Sequence, residues 1–368
     1  MYRNMNKSPF TGSSRCNIMT SEETAKICLI TTGGTISSIY DEEIQALRPG
    51  LSVDALLDRL PKGMGNIEVI KKELYQLDSA NAQPHHWQTL AGAIKEVSEE
   101  IPDLQGIVVS HGTDTMVYSA AAVSFMIQDF GKPIVFTGAQ IPASVPWSDG
   151  PRNLLDAIRV AAFGDLGETC IVFNNEIHRA TRTKKVRVNS YDAFDSMDPS
   201  PIGILARDIV LYEGRKKRNH SLIPRFDTRL DDRVFLLKVF PGLPPQTLAR
   251  IVDMGFQGIV VEGFGSGNIP TDENALTGGI LQAIDQKCFI VVSSQCAFGQ
   301  ADLSIYAVGR AAMDVGAMSA YDMTSEAALV KLSWVLGHTK EPDRVREMMS
   351  ISYVGEMSFT TTIVPSDK

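Results

Sequence analysis

Short β-branched runs that end in polar, glycine-bearing corners recur along the first half of this chain. Ile107 to Val109 read as a strand buried on both faces, and Ser119 to Ile127 are apolar enough for a packed helix. Between them Ser110, His111, Gly112, Thr113, Asp114 and Thr115 crowd the carboxyl end of the strand. Open α/β sheets place ligands there, and the following helix offers free N–H groups to an anion. Ile27 to Ser38 runs the same way, from an apolar strand into a glycine turn that carries Thr31, Thr32 and Thr35. Ile67 to Leu77 reads as a third strand, ending in Asp78-Ser79-Ala80-Asn81, and Pro84 opens an amphipathic helix to about Glu100. Pro133 to Phe136 and Cys170 to Phe173 are further strands, the first leading to Thr137-Gly138-Ala139-Gln140.

The segments between are less regular. Asp41 to Gly50 is a charged loop, read as a surface connection or a lid over the glycine turn, and Ser52 caps a short helix through Leu60. Ser148-Asp149-Gly150-Pro151 is a helix start with Asp149 as a structural cap. A basic run, His178 to Arg187, precedes Tyr191 to Ser196; one lysine turned inward would be hidden in it, and periodicity does not identify which. Glu213 to Arg233 is charged, poor in apolar residues and broken by Pro224, the pattern of a linker. Strand and helix then alternate: Val234 to Phe240, Pro245 to Met254, Gly258 to Val261, Leu276 to Asp285, Phe289 to Ser293 and Thr324 to Leu336. Such alternation predicts parallel sheets in both halves. The expected division is a polar tail over 1–26, an N-terminal α/β domain over 27–212, a linker over 213–233 and a C-terminal α/β domain over 234–368.

Composition narrows the class without naming a function. At 368 residues two domains are expected, and 44% hydrophobic with 21% charged residues is ordinary for a globular protein. A formal net charge of −8 leaves no basic footprint for nucleic acid or anionic membrane. Five scattered cysteines suggest neither a disulfide framework nor a zinc site, and three of them, Cys28, Cys170 and Cys288, lie in apolar runs. With no signal peptide or membrane span in view, the expectation is a cytoplasmic protein. His85 and His86 are adjacent, not four apart as in a helical zinc site, and are read as solvated or capping residues. Gly263 to Asn268 follows a strand but lacks the dinucleotide glycine spacing, and Pro270 interrupts the helix that should begin there. Neither a cofactor nor a metal is implied.

Hydroxyl-rich turns are common caps, yet three strand ends carry hydroxyls, two of them with an aspartate as well. A threonine hydroxyl is a poor nucleophile unless a base takes its proton. A partly desolvated lysine, its pKa lowered from about 10.4 towards roughly 7 to 8, can do so. Glycine-turn N–H groups could hold an oxyanion; Asp114 and Asp78 could bind an ammonium, and N–H groups around Ser79 a carboxylate. Together these describe hydrolysis of an amide in a small zwitterion.

TTGGTISS at Thr31 to Ser38, LDSANAQPHHW at Leu77 to Trp87 and HGTDTM at His111 to Met116 resemble the bacterial-type L-asparaginase family, in its cytoplasmic type I branch. The likeness continues through FTGAQIP at Phe136 to Pro142, SDGPRNLLDAI at Ser148 to Ile158, SYDAFDS at Ser190 to Ser196 and GFGSGNIP at Gly263 to Pro270. It implies a two-domain α/β fold, with a larger N-terminal domain on a mainly parallel sheet and a smaller Rossmann-like C-terminal domain, assembled as a homodimer or homotetramer. The implied function is hydrolysis of L-asparagine to L-aspartate and ammonia without a cofactor. The implied nucleophile is Thr35, with Thr113, Lys185 and Asp114 as a second set; in the family the second threonine has also been argued to be the nucleophile. A one-residue shift in matching would exchange Lys185 for Lys184. Ser79 and Asp78 match the positions that hold and orient the substrate α-carboxylate, Asp114 the α-ammonium ligand and the Ala139 carbonyl a contact to the leaving amide. Asn268 is implied to reach a neighbouring subunit's site.

Two positions depart from the family pattern. Members carry a tyrosine in the mobile loop after the first threonine; Leu47 stands at the matched position, and Tyr40 either substitutes for it or the tyrosine is absent. Ala80 stands where a polar substrate contact often occurs. The rival readings are a glutaminase or other ω-amide hydrolase, since one methylene is worth only about 1 to 3 kcal/mol in a pocket, and an amino-acid sensor that kept binding but lost catalysis. A third, the asparaginase-like subunit of a tRNA-dependent amidotransferase, is disfavoured by the lack of an extra N-terminal domain or basic RNA surface in the sequence.

Overall fold

The structure, a computed structural model, describes residues 14–15, 24–41, 43, 45–50, 52–60, 66–197, 201–272 and 275–358. In the N-terminal domain nine strands form one sheet. From one edge the order is Ile67–Leu77, Ala25–Gly33, Gly106–Ser110, Ile134–Thr137, Thr169–Phe173, Glu176–Arg179, Gly203–Leu205, Ile209–Leu211 and Ser14–Arg15. The first five are parallel and the last four join antiparallel. The first long strand starts at Ala25, two residues earlier than its apolar run suggested, and Ser14–Arg15 adds an edge strand from within the expected tail.

The β-branched runs are buried on both faces because helices cover both. Cys28, Ile30, Ile107 and Val109 pack against helices Pro84–Glu100 and Met116–Met126, while Ile27, Leu29 and Val108 pack against helix Gly150–Phe163. Every residue of Met116–Met126 except Tyr118 is buried, because its outer side meets the C-terminal helix Ser325–His338. Phe125 stacks on Trp334 there, ring centroids 5.9 Å apart. Fully burying side chains of this size contributes about 1.5–3 kcal/mol each, so the two domains share one continuous core.

The smaller C-terminal domain is a parallel four-stranded sheet in the order Val234–Lys238, Gly258–Gly263, Phe289–Ser294, Met318–Ser319. Its second face packs on helices Thr247–Asp253, Thr277–Asp285 and Ala307–Asp314, the last without a mark in the sequence pattern, as is helix Pro342–Ser350. The segment 213–233 runs along the N-terminal domain, with Arg225–Phe226 pairing Ile127–Gln128 and Arg218 donating to the carbonyls of Gln105, Ala161 and Gly164. Ser38–Asp41 and Ala46–Pro49 pair as an antiparallel hairpin, so half of the expected loop is strand. The turn Phe264 to Asn268 closes on a bridge between its ends.

Candidate active site

Strand order decides where the polar corners meet. The chain leaves Ala25–Gly33 towards Ile67–Leu77 and leaves its other neighbour, Gly106–Ser110, in the opposite direction towards Ile134–Thr137, so a crevice opens at the carboxyl ends, the place where such sheets bind ligands. Only glycines allow the corners to close. A Cβ on Gly33 would lie 2.5 Å from the Leu77 backbone, one on Gly34 2.3 Å from Gly112 N, and one on Gly112 2.4 Å from Ser79 Oγ. Hydroxyls tie the same corners: Thr32 Oγ1 donates to Ser110 O at 2.9 Å, and Thr115 Oγ1 to Ser79 O at 2.7 Å. His111 N–H donates to Thr137 O at 2.8 Å, which brings the fourth corner alongside.

Thr35 opens a short 3-10 turn, Thr35–Ser37, and is half-buried. Gly34, at φ 84°, lets its carbonyl accept from Ser37 N, Ser37 Oγ and Ser38 Oγ. The Gly34 N–H donates to Leu77 O at 3.1 Å, so this donor of the glycine turn is committed to the fold, not to an oxyanion.

Thr113 is buried, and Lys185 Nζ donates to its Oγ1 at 2.8 Å and to Asp114 Oδ1 at 2.7 Å. The Lys185 side chain is 19% exposed against 61% for Asp114, so the cation is carried inward and its carboxylate partner faces solvent. Pairing of Thr183–Lys185 with Phe194–Ser196 separates the neighbouring lysines: Lys184 points away, to Glu326 at 3.3 Å. Gln140, not singled out from the sequence, accepts from Thr113 Oγ1 at 3.3 Å and donates to the carbonyls of Val188 and Ser190. Its place directly after the Thr137 strand end was the available signal.

Ser79 is buried against Gly112, and Asp78 uses Oδ1 to cap its own turn by accepting from Ala80 N at 3.0 Å. That commits the Ala80 N–H as well. Ala139 is fully buried behind Thr137. Asp149 stands at the N-cap of helix Gly150–Phe163, as expected, but its carboxylate makes no capping bond: it accepts from Gln140 N, Ile141 N and Asn153 Nδ2, clamping the Ala139–Gln140 corner onto the helix. The Tyr40 and Leu47 backbones are paired across the hairpin, while their side chains lie outside the described residues. Asn268 sits in the C-terminal turn, its Oδ1 buried without a hydrogen-bond partner among the described residues.

The histidines do not join this centre as acids or bases. Burial pushes His111 down to about 4, and its Nδ1 lies 2.7 Å from the Gly112 carbonyl. His86 Nδ1 accepts from Gln83 N and so caps its helix, although the His85 and His86 rings lie 3.9 Å apart. Burial raises the Cys28 thiol to about 11 and the Cys288 thiol to about 12, so neither is a nucleophile near neutrality. Among the described residues no group of three or more His, Cys, Asp and Glu is placed to hold a metal, and no helix is long and apolar enough to cross a membrane.

Comparison with known proteins matches this architecture. Residues 26–217 match the family model described as Asparaginase, N-terminal, and residues 233–349 the Glutaminase/Asparaginase C-terminal domain. A glutamyl-tRNA(Gln) amidotransferase subunit of Pyrococcus horikoshii is 35% identical over 343 residues, 90% of this chain and 76% of that one. Among solved structures, the thermostable L-asparaginase from Thermococcus kodakarensis superposes with a TM-score of 0.84 at 34% identity, covering 91% of this chain and 100% of that one. L-asparaginase I from Vibrio cholerae gives 0.81 at 28% identity, again over 91% and 100%. With both domains matched and the fold shared along nearly its whole length, the chain belongs to the asparaginase family.

Proposed function

We propose that this chain hydrolyses the side-chain amide of L-asparagine to L-aspartate and ammonia. What supports the reading most is Lys185 held between Thr113 Oγ1 and Asp114, at the strand-end crevice that also carries Thr35 and Ser79. Thr35 Oγ adds to the amide carbon, its proton passing to a base; the C–N bond then breaks and ammonia leaves with that proton. Water, deprotonated through Thr113 and Lys185, attacks the acyl-threonine, releases aspartate and restores the Thr35 hydroxyl. Asp114 holds the substrate ammonium, Ser79 with Asp78 its α-carboxylate, and the Ala139 carbonyl the leaving amide. Tyr40, from the strand opposite Leu47, assists deprotonation of Thr35.

Ammonia release from L-asparagine and L-glutamine, side by side, for the parent chain and for Thr35→Ala and Thr113→Val, tests this. Asparagine turnover that collapses in both variants supports the reading; faster turnover of glutamine replaces the substrate. Saturable aspartate binding with no ammonia release makes the chain a sensor instead. The name of the Pyrococcus relative favours one further reading, a component of a glutamyl-tRNA(Gln) amidotransferase. Ammonia release that needs an added tRNA-bearing partner distinguishes it from a free hydrolase.

The same proposal includes a homodimer or homotetramer with Asn268 facing a neighbouring site, which sedimentation tests, and a cytoplasmic location, in keeping with the free thiols of Cys28, Cys170, Cys288 and Cys296. It also keeps domain limits near 27–212 and 234–368.

A further inference from the structure

Lys185 stands on a short ribbon. Thr183–Lys185 and Phe194–Ser196 form a two-stranded ribbon outside the nine-stranded sheet, and isolated ribbons of two strands are marginal on their own. On one side the N-terminal domain helps to fix the reach of Nζ to Thr113, with Phe194 packed on Phe173 and His178 Nδ1 2.8 Å from Ser196 Oγ, and on the other side a second anchor does. The alternation of side chains along the ribbon indicates what does so. Lys185 faces the crevice, while Arg182 and Lys184, one turn end and one strand residue away on the even-numbered side, both reach the C-terminal domain.

Arg182 is among the most buried side chains in the protein, 1% exposed. Its Nη1 donates to Asp322 O at 3.2 Å and Glu356 O at 2.9 Å; its Nη2 donates to Asp322 Oδ2 at 2.8 Å and Ser358 Oγ at 3.0 Å. Asp322 is held in turn by the Ser358 N–H, at 3.1 Å to each carboxylate oxygen. The Arg182 carbonyl accepts from Met197 N at 2.7 Å, so the residue that grips the other domain also closes the ribbon. A planar guanidinium spending four hydrogen bonds across a domain boundary sets position far more tightly than a single lysine contact does.

We propose that Arg182, through Asp322 and the C-terminal segment ending at Ser358, is a positioning residue for Lys185, so that the C-terminal domain sets the catalytic geometry of a site built on the N-terminal one. This rests on the reading of Lys185 as a proton carrier. Lys184 with Glu326 is the second, more accessible strut of the same ribbon.

The test uses the full chain and steady-state ammonia release from L-asparagine, for Arg182→Met, Asp322→Asn, Glu326→Gln, Lys185→Met and the double variant Arg182→Met/Lys185→Met. Misplacing a reacting group by about 1 Å can cost about a hundredfold. Arg182→Met and Asp322→Asn are therefore expected to lower kcat about 10- to 100-fold with KM within about twofold, and Glu326→Gln to lower it less. The double variant is expected to be no slower than Lys185→Met, since Arg182 acts only through that lysine. Folded Arg182→Met or Asp322→Asn protein with kcat within twofold of the parent overturns the inference, as does a double variant whose losses multiply. Where Arg182→Met does not fold, Asp322→Asn, which keeps an acceptor for Ser358, decides on the same terms. If Lys185→Met turns over like the parent, the reading of Lys185 fails and the inference fails with it. If Lys185→Met is inactive while the Arg182 and Asp322 variants are not, the inference alone fails.

Discussion

Substituting Gly34 by alanine probes the meeting of the two threonine-bearing corners. Gly34 sits at φ 84°, in the left-handed region, where a Cβ costs about 1–2 kcal/mol. The new Cβ would lie 2.3 Å from Gly112 N and 2.4 Å from Gly112 Cα. Both are backbone atoms at the end of a buried central strand, so no side chain can rotate out of the way, and overpacking of this type costs about 1–3 kcal/mol more. Together Gly34→Ala should destabilise by about 2–5 kcal/mol, which at about 2–4 °C per kcal/mol for a domain of this size lowers the unfolding midpoint by on the order of 10 °C. Relief comes only by separating the Thr35 turn from the Thr113 corner, so turnover should fall about a hundredfold even well below the midpoint. Gly92→Ala is the control: it lies in helix Pro84–Glu100 with nothing within 4 Å of its Cβ, and should stabilise by about 0.5–1 kcal/mol. Thermal unfolding followed by circular dichroism, with ammonia release at 25 °C, reads both effects. A Gly34→Ala protein with the parent's midpoint and turnover would refute the closure of the two corners.

Buried polar groups give three further expectations. Lys331 and Glu356 are both fully buried, 2.8 Å apart, so Lys331→Met should cost about 3–5 kcal/mol in urea unfolding, and adding Glu356→Gln, which still accepts from Tyr353 N and Val354 N, should recover most of it. Burial holds His111 and His178 near 4 against an ordinary 6.5. Their folded values lie below the unfolded ones, so stability is complete above about pH 6.5 and is lost as pH falls towards 4, by up to about 3 kcal/mol per histidine; His178→Gln should flatten the profile measured by urea titration. Asp149→Ala strands the N–H groups of Gln140 and Ile141 and removes one of the partners of the Asn153 amide, which keeps Gly138 O, for an expected loss of about 3 kcal/mol in the same assay and about tenfold in kcat.

How far the sequence reveals this molecule depends on the range of each interaction. Strand Ile67–Leu77 and helix Pro84–Glu100 fall where the hydrophobic pattern puts them, because one buried face per element writes itself into local periodicity. The antiparallel half of the large sheet left no such mark: its strands Gly203–Leu205 and Ile209–Leu211 are three residues long, and the turn into Glu176–Arg179 is made by Asn174 and Asn175 at positive φ, without a glycine to announce it. The polar corners were legible as strand ends, but their convergence is a property of strand order, which no single corner encodes. Lys184 and Lys185 illustrate the limit: adjacent cations are equivalent in composition, and pairing with Phe194–Ser196 turns one to Thr113 and the other to Glu326. Likewise nothing near Lys331 marks it as buried, because its partner is 25 residues further on.

Everything proposed for the site turns on Lys185, held on Thr113 and Asp114, moving the protons of amide hydrolysis. Single-turnover ammonia release from saturating L-asparagine by Lys185→Met, whose side chain is similar in length but carries no proton, tests it most directly. The expected result is a fall of about 10²- to 10⁴-fold in rate with aspartate still bound; release within about threefold of the parent would contradict it.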